Sequence, residues 1–241
     1  MTGVILQPSF IPWRGVFDLI KKSDVFVFYD DVQYDKHGWR NRNRIRTATG
    51  SDWLTIPVKS KGNLTNKLLI NAAEVAWDKP WDRSVRDKIV ANYRRAPFFK
   101  RYFPAIEARL LSHESHLVDY TIPLTLDVVA ELGIDGTRFF RSSEIDIQHE
   151  DPTERLVLNL SHLGVTTYIS GPSAQAYLNP ERFQDAGITL EYMTYNYPAY
   201  EQLTGPFDPA VSIIDLLFTQ GERAADYIWG SAKKASLHTS V

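Results

Sequence analysis

The chain has 241 residues, of which 44% are hydrophobic and 23% charged, a composition typical of a globular protein with its own core. Its formal net charge of −2 argues against a general nucleic-acid-binding protein, which would carry a strongly basic surface. It contains no cysteine, which excludes disulfides, thiolate metal sites and a cysteine nucleophile.

The first elements in chain order are a strand, a helix and a second strand. Residues 4–6 and 25–29 are apolar runs typical of strands buried on both faces, and residues 16–20 show helical spacing. Because such crossovers join parallel strands, Gln7 and Asp30 are expected at the same edge of the sheet. The sequence therefore predicts an α/β fold, a Rossmann-like parallel sheet that opens with a βαβ unit. The first turn lacks a glycine-rich phosphate-binding pattern, so no dinucleotide site is predicted.

The polar segment of residues 29–46 is the strongest candidate for a ligand site. It follows a buried strand directly, and ligands of α/β proteins bind where such strands end. Its arginines offer paired donors to a phosphate or carboxylate, and its amides both donate and accept hydrogen bonds. The alternative is a charged hairpin that forms a solvated face. With Gln7 from the neighbouring strand end, the candidate ligand-binding residues are Asp30, Gln33, Tyr34, Lys36, Trp39, Asn41, Arg42 and Asn43.

The rest of the chain alternates between strands and helices. Residues 60–66 are expected to form an exposed connection, with a lid over the site as the alternative. Residues 78–132 have apolar residues at helical spacing and predict a helical insertion. His113 and His116 lie within it without a third ligand nearby, so no metal site is predicted. Strands are predicted at 52–58, 139–140, 166–170 and 188–192, helices at 153–163, 179–186 and 211–218, and a turn at 142–144.

Three features of the later chain bear on a site. Ser170 and Gly171 end a strand before a predicted helix, whose N–H groups could bind an anion, although an ordinary serine-capped turn is an equal alternative. Tyr200 and Gln202 lie in an aromatic loop of the kind that walls a pocket. Asp215 lies on the apolar face of the last helix, where a carboxylate needs a partner, and we expect a basic residue there.

The chain is predicted to form one α/β domain. This domain covers residues 1–230, includes the helical subdomain at 78–132, and is followed by a flexible tail at 231–241. No apolar stretch reaches the length of a membrane span, and the first residues show no signal-peptide pattern. We therefore expect a cytoplasmic protein without membrane contact.

Several motifs together resemble the WbqC-like family of bacterial proteins over almost the whole chain. They are Gln7-Pro8, Asp30-Asp31-Val32-Gln33-Tyr34, Gly38-Trp39, Asn41-Arg42-Asn43, Trp53-Leu54-Thr55, Ser170-Gly171 and residues 212–218. The resemblance implies a role in O-antigen, other glycan or specialised-metabolite biosynthesis, where an amine receives an acyl or aminoacyl group. The first βαβ unit also looks like that of adenylyltransferases, but residues 7–15 lack the two histidines of their motif, which puts adenylyl transfer in doubt.

The resemblance favours amide formation from an activated, thioester-type donor. Asp31 or His37 would then act as the general base, with Asp31 preferred because neighbouring side chains of an extended chain point in opposite directions. Asn41 and Gln33 would stabilise the oxyanion or bind substrate, Arg42 and Lys36 would bind an anionic group, and Tyr34 and Trp39 would wall the acceptor. No tightly bound cofactor is expected, and coenzyme A or carrier-protein phosphopantetheine would carry the donor.

Two other functions stay open from the sequence. One is a nucleotide-dependent nucleotidyltransferase or adenylating ligase that uses the basic segment for phosphates. The other is a non-catalytic binding module for a sugar nucleotide or a carrier protein. The expected partners are a small amine or amino-sugar substrate and, for a protein-bound donor, an acyl or peptidyl carrier protein, without nucleic acid.

Overall fold

The computed structural model describes residues 1–60 and 67–230 of the chain. The predicted tail and most of the predicted connection at 60–66 lie outside the described residues. The strands are β1 (Thr2–Leu6), β2 (Val25–Phe28), β3 (Arg42–Thr47), β4 (Gly50–Thr55), β5 (Arg138–Arg141), β6 (Thr167–Ser170) and β7 (Thr189–Tyr192). The α-helices are α1 (Arg14–Lys21), α2 (Trp81–Tyr93), α3 (Phe99–Leu110), α4 (Val118–Glu131), α5 (Ser142–Ile145), α6 (Pro152–His162), α7 (Pro180–Asp185), α8 (Ile213–Gln220) and α9 (Asp226–Trp229).

The central sheet has five strands in the order β5-β2-β1-β6-β7, and every pairing between them is parallel. Strands β1 and β2 pair from Gly3 with Val25 to Leu6 with Phe28, so both end at the same edge. This confirms the predicted βαβ unit and the Rossmann-like α/β fold. The chain moves from β1 towards β2 and β5, then crosses to β6 and β7 on the other side. The order therefore reverses beside β1, where α/β proteins place their ligands.

Both faces of the sheet are covered, as the apolar strands predicted. Val4, Phe26 and Phe28 belong to a large core that includes α1 and the helical segment α2 to α4. Ile5, Val25 and Val27 point to the opposite face and pack with residues of α6 and of the segment around Phe183. The alternation of strand side chains between faces explains why neighbouring residues of β1 and β2 serve two cores.

The basic segment contains a strand that the sequence did not indicate. Strands β3 and β4 form an antiparallel hairpin, in which Arg42 pairs with Thr55 and Thr47 with Gly50. The inner side of the hairpin is buried at Asn43, Ile45 and Leu54, while arginines occupy the positions between. Because only one of the alternating inner residues of β3 is hydrophobic, its pattern resembles a polar loop more than a strand.

Candidate functional site

A cavity of about 420 Å³ opens at the carboxyl end of β1, beside the point where the strand order reverses. It lies between the β1–α1 loop, the first two turns of α1, the basic segment and the loops after β7. Its lining residues are Leu6, Ser9, Pro12, Trp13, Val16, Leu19, Trp39, Arg40, Asn43, Tyr195, Pro209 and Ala210. Mainly apolar walls with a few polar groups are typical of a small-molecule site.

Aromatic rings form one wall of the cavity. The indole of Trp13 meets the ring of Tyr195 edge-on, with centroids 4.9 Å apart, and that of Tyr197 at 5.9 Å. Trp13 can lie along α1 because residue 15 is glycine, where a Cβ atom would collide with the indole. Trp39 lines the cavity and is also 43% exposed, with its ring 5.3 Å from that of Trp53. The wall therefore extends from the cavity to the surface.

The β1–α1 loop is held in a strained conformation. Ile11 has a φ angle of 41°, which a β-branched residue adopts only when its surroundings impose it. Its carbonyl accepts hydrogen bonds from Asn43 Nδ2 at 2.8 Å and from Ser212 Oγ at 2.7 Å. Asn43 Nδ2 also donates to the Phe10 carbonyl at 3.1 Å. Asn43, a predicted ligand-binding residue, thus lines the cavity and fixes the loop that shapes it.

Arg40 is the cation of the cavity wall. Its Nη1 donates to the Gln7 carbonyl at 2.9 Å, while its Nε is buried without a hydrogen-bond partner. No carboxylate lies within ion-pair distance of it in residues 1–60 and 67–230. Burial lowers the pKa of Arg40 to about 10, which still leaves it charged at neutral pH. Asp35 attracts this charge from beyond ion-pair distance. The cavity wall therefore contains one positive charge without an ion-pair partner among the described residues.

Asp30 and Asp31 lie outside the cavity lining, at the ends of β2 and β5. Asp30 is fully buried, and its Oδ2 accepts from Arg141 Nε at 2.7 Å and from Ser143 Oγ at 2.9 Å. Its Oδ1 accepts from the Ser143 N–H at 3.0 Å, at the start of α5. The predicted turn at 142–144 is wrong for this reason, since Asp30 supports a short helix there instead.

Asp31 is also tightly bound. Its Oδ2 lies 2.6 Å from Arg155 Nη2 and 2.9 Å from Gln148 Nε2, and its Oδ1 accepts from Ser142 Oγ at 2.5 Å. Ser142 Oγ is also 3.2 Å from Asp30 Oδ1. The two carboxylates therefore share a partner, and the expectation that they point in opposite directions is wrong. Strand β2 ends at Phe28, so the strict alternation of side chains in a strand does not extend to these two residues.

The other predicted residues of the segment are dispersed. Gln33, Lys36 and His37 are exposed, and Tyr34 is buried, which raises its pKa to about 12. Asn41 is buried and donates from Nδ2 to the Ile56 carbonyl at 2.8 Å.

The Arg42 guanidinium lies outside the cavity lining. It donates to the carbonyls of His37 and Gly38 and lies 4.4 Å from the centre of the Trp53 ring. Gln7 contributes its carbonyl to Arg40, as described above. Of the predicted site residues, Trp39 and Asn43 line the cavity.

Ser170 ends β6 and Gly171 follows it, and the helix expected after them is a 3₁₀ helix of five residues, Pro172–Ala176. Ser170 is buried, and a Cβ atom at Gly171 would lie 3.9 Å from the Tyr195 hydroxyl. Neither residue lines the cavity. Their role in binding an anion stays a prediction.

Tyr200 and Gln202 are directed at Asp215. Asp215 Oδ1 accepts from Tyr200 Oη at 2.8 Å and from Gln202 Nε2 at 3.0 Å, and its Oδ2 accepts from Tyr93 Oη at 2.7 Å. The expected pairing of Asp215 with a basic residue is wrong, because no cation lies within ion-pair distance in the described residues. Burial raises the pKa of Asp215 above its ordinary value of 3.8.

The raised pKa predicts how Asp215 affects stability. Just above pH 3.8 the folded protein holds a proton that the unfolded chain has released, so the contribution of Asp215 decreases as pH rises. We expect the free energy of unfolding of the wild type, minus that of Asp215→Asn, to decrease from about pH 4 upwards. Urea unfolding at a series of pH values measures this difference. A flat or rising difference contradicts the prediction.

The described part of the chain shows neither a cluster of metal ligands nor a membrane-spanning helix. No group of three or more His, Asp or Glu side chains is placed there to hold a metal ion. His113 stacks on Trp77, with centroids 4.7 Å apart, and His116 lies 3.7 Å from Asp119. None of the described helices is long and apolar enough to cross a bilayer.

Sequence reasoning missed three main residues of the cavity. Trp13 and Tyr195 lie 182 positions apart, and no local pattern indicates that they meet. Arg40 stands among the cations of the basic segment, where composition does not distinguish it from Arg42. The two prolines flanking residues 9–11 marked an irregular loop at the end of a strand, and this was the signal for the cavity that the sequence did contain.

Comparison with known proteins places the chain in a family. Its sequence is 38% identical over 229 residues to an uncharacterised protein, Rv1507c, of Mycobacterium tuberculosis strain H37Rv, covering 93% of this chain and 96% of the relative. No solved structure gives a significant match. The profile of the WbqC-like protein family matches residues 7–227, which include the cavity lining from Ser9 to Ala210. The chain therefore belongs to the WbqC-like protein family.

Proposed function

We propose that the protein is a transferase that moves an acyl or aminoacyl group from a thioester-type donor to the amine of an amino sugar or amino acid. The observation that carries the proposal is the cavity at the end of β1, where α/β proteins bind small molecules. Its size and mainly apolar walls suit an acyl group beside a polar acceptor. The reaction class comes from the family resemblance, and glycan or specialised-metabolite biosynthesis is the corresponding context.

The proposed reaction needs no covalent enzyme intermediate. The acceptor nitrogen attacks the thioester carbonyl carbon, the C–N bond forms, the C–S bond breaks, and the thiol leaves with a proton equivalent to the one lost by the amine. Within the described residues, the cavity lining contains no Asp, Glu, His or Lys. The proposal therefore attributes the rate to orientation and exclusion of water, which can contribute several orders of magnitude. Asp31 and His37 lie outside the lining, and their roles as bases stay predictions.

The same lining favours one alternative function. A cavity without an acid or base is also what a binding module for an anionic small molecule, such as a sugar nucleotide, would have. Such a module would bind its ligand without consuming it. The two functions differ in whether a thioester loses its thiol in the presence of an amine.

Thiol release gives a direct assay, because the chain has no cysteine to react with a thiol reagent. Acetyl, aminoacyl and hydroxyacyl thioesters of coenzyme A and of pantetheine would be incubated with amino sugars and amino acids. We expect amine-dependent thiol release, and mass spectrometry should find the matching amide. Reactions without amine measure hydrolysis. Absence of amine-dependent release across the panel, with binding retained, would favour the binding module.

Blocking the cavity should abolish the transfer. Ala210 is an exposed lining residue, so Ala210→Trp can fill the opening without disturbing the core. We expect it to lower kcat/KM by at least about tenfold, because a large indole excludes substrate from its binding position. Ala210→Ser is the matched control and should retain activity. Full activity in Ala210→Trp would place the reaction elsewhere, whatever the reaction is.

A further inference from the structure

Arg40 differs from the other arginines of its segment. Arg42 donates to two backbone carbonyls, Arg44 pairs with Asp208 at 2.8 Å, and Arg46 is buried with bonds to the Thr204 carbonyl. Each of these has a structural use outside the cavity. Arg40 lines the cavity, and no described carboxylate forms an ion pair or hydrogen bond with it, although Asp35 attracts it from a longer distance. A guanidinium that is partly desolvated without an anion is unfavourable unless a ligand supplies one.

The geometry leaves part of this guanidinium available. Nη1 is positioned by the Gln7 carbonyl at 2.9 Å and lies 3.5 Å from the Pro8 carbonyl, so the loop at the end of β1 orients the group. Nε is enclosed by protein. Nη2 makes no hydrogen bond within residues 1–60 and 67–230 and is not fully enclosed. A pre-oriented donor at a cavity wall is the arrangement that recognises a carboxylate or phosphate oxygen.

We propose that Arg40 binds the anionic group of the ligand that occupies this cavity, while the apolar part of the ligand packs against the indoles of Trp13 and Trp39. The inference deepens the proposed function, because it takes the cavity as the substrate site and names the chemistry of the substrate. That substrate is a small carboxylate or phosphate with an apolar or planar body. The mainly apolar lining lowers the local dielectric, which strengthens a charged hydrogen bond in the cavity.

Small aromatic anions test this selectivity without knowledge of the natural ligand. Benzoate and phenyl phosphate represent the two anion classes, and benzamide is the neutral comparator. The six tryptophans give six indole N–H signals in a ¹⁵N-labelled protein, and Trp13→Phe and Trp39→Phe identify the two from the cavity. We expect an anion to shift these two signals and to bind about 10- to 100-fold more tightly than benzamide, as a charged hydrogen bond implies.

Arg40→Gln should remove this preference while keeping a side-chain donor for the Gln7 carbonyl. Arg40→Lys should restore part of it, because the charge returns without the planar fork. Arg44→Gln is the matched control, since it removes one positive charge from the same basic segment at a residue that does not line the cavity. Whichever of benzoate and phenyl phosphate binds more tightly shows whether the natural ligand carries a carboxylate or a phosphate.

Three results would overturn the proposal. They are equal binding of benzoate, phenyl phosphate and benzamide to the wild type, no shift of the Trp13 and Trp39 signals at millimolar anion, and an unchanged anion preference in Arg40→Gln. A role for Arg40 only in fixing the loop would lower the stability of Arg40→Gln without altering the preference, and urea unfolding measures that separately. Anion preference without amine-dependent thiol release would support this inference and contradict the transferase. Transfer that is insensitive to Arg40→Gln would support the transferase and contradict this inference.

Discussion

Asp31→Ala is expected to lower the free energy of unfolding by about 3–5 kcal/mol, because it removes one partner of a buried ion pair. The side chains of Asp31 and Arg155 are 6% and 9% exposed, and their charged atoms lie 2.6 Å apart. Loss of the carboxylate leaves the Arg155 guanidinium buried without an anion. It also removes an acceptor from Gln148 and Ser142. Urea unfolding of both proteins measures the change.

Glu144→Ala provides the control for this experiment. Glu144 is exposed on α5, close in sequence to the serine that contacts Asp31, and its loss should change stability by less than about 0.5 kcal/mol. A similar small change in Asp31→Ala would show that the ion pair contributes little to folding.

Asp31→Asn separates the structural role from the proposed role as a base. Asparagine retains the size of the side chain and one of its two acceptor oxygens, so a larger fraction of Asp31→Asn than of Asp31→Ala should fold. A general base lost from the reaction would lower turnover about 10²–10⁴-fold per folded molecule. If Asp31 instead stabilises the strand ends, turnover per folded molecule should stay close to that of the wild type. The same measurement on His37→Gln decides whether the exposed histidine takes the role.

The opening βαβ unit could be predicted because it depends on short-range patterns. Two apolar runs flanking a helical period specify a βαβ unit, and the handedness of the crossover then makes the strands parallel. The observed pairing, from Gly3 with Val25 to Leu6 with Phe28, has this parallel direction. The hairpin was harder to predict from the sequence. Arginines occupy alternating positions of β3, so the strand does not show the apolar pattern of a buried face, although Asn43 and Ile45 are buried.

The sequence indicated the edge of the sheet where the candidate site lies, but not which residues of that edge form it. The ends of β1 and β2 lie at the same edge of the sheet, as predicted, yet this edge divides into two regions that composition does not separate. On the β2–β5 side, Asp30 and Asp31 are satisfied by arginines that come more than 100 residues later in the chain. On the β1 side, Arg40 lacks such a partner among the described residues. Which arginine pairs with which carboxylate depends on contacts between distant parts of the chain, and a single sequence does not reveal these contacts.

The division of this edge has a physical consequence for catalysis. A carboxylate that accepts from an arginine and two other donors, as Asp31 does, has its oxygens occupied and offers little room for a substrate proton. A partly desolvated arginine beside an open volume still has bonding capacity for a ligand. The unsatisfied side of the edge, around the β1–α1 loop, is therefore where the chain can still interact with a substrate.

Asn43→Asp should test the attachment of that loop. Asn43 Nδ2 donates to the carbonyls of Phe10 and Ile11, and its Oδ1 accepts from the Arg44 N–H. Aspartate cannot donate, so the Phe10 carbonyl would lose its partner, the Ile11 carbonyl would keep only its bond from Ser212 Oγ, and both would face a negative charge. We expect a loss of about 1–3 kcal/mol in the free energy of unfolding from the unsatisfied Phe10 carbonyl, and a further loss from the charge placed beside both carbonyl oxygens. Urea unfolding measures the loss.

The effect should also be local, because Asn43 fixes the strained residue Ile11 in the wall-forming loop. Asn43→Ala removes the donor without adding charge. In this variant, the amides of Phe10 and Trp13 should exchange hydrogen faster than the global loss of stability alone would explain. Asn196→Asp, in an exposed loop, is the matched control and should change neither quantity. Exchange that accelerates only in proportion to global unfolding would mean that Asn43 stabilises the fold as a whole. Faster exchange confined to the loop, with a weaker anion preference at Arg40, would show that the hairpin holds the cavity in its binding conformation.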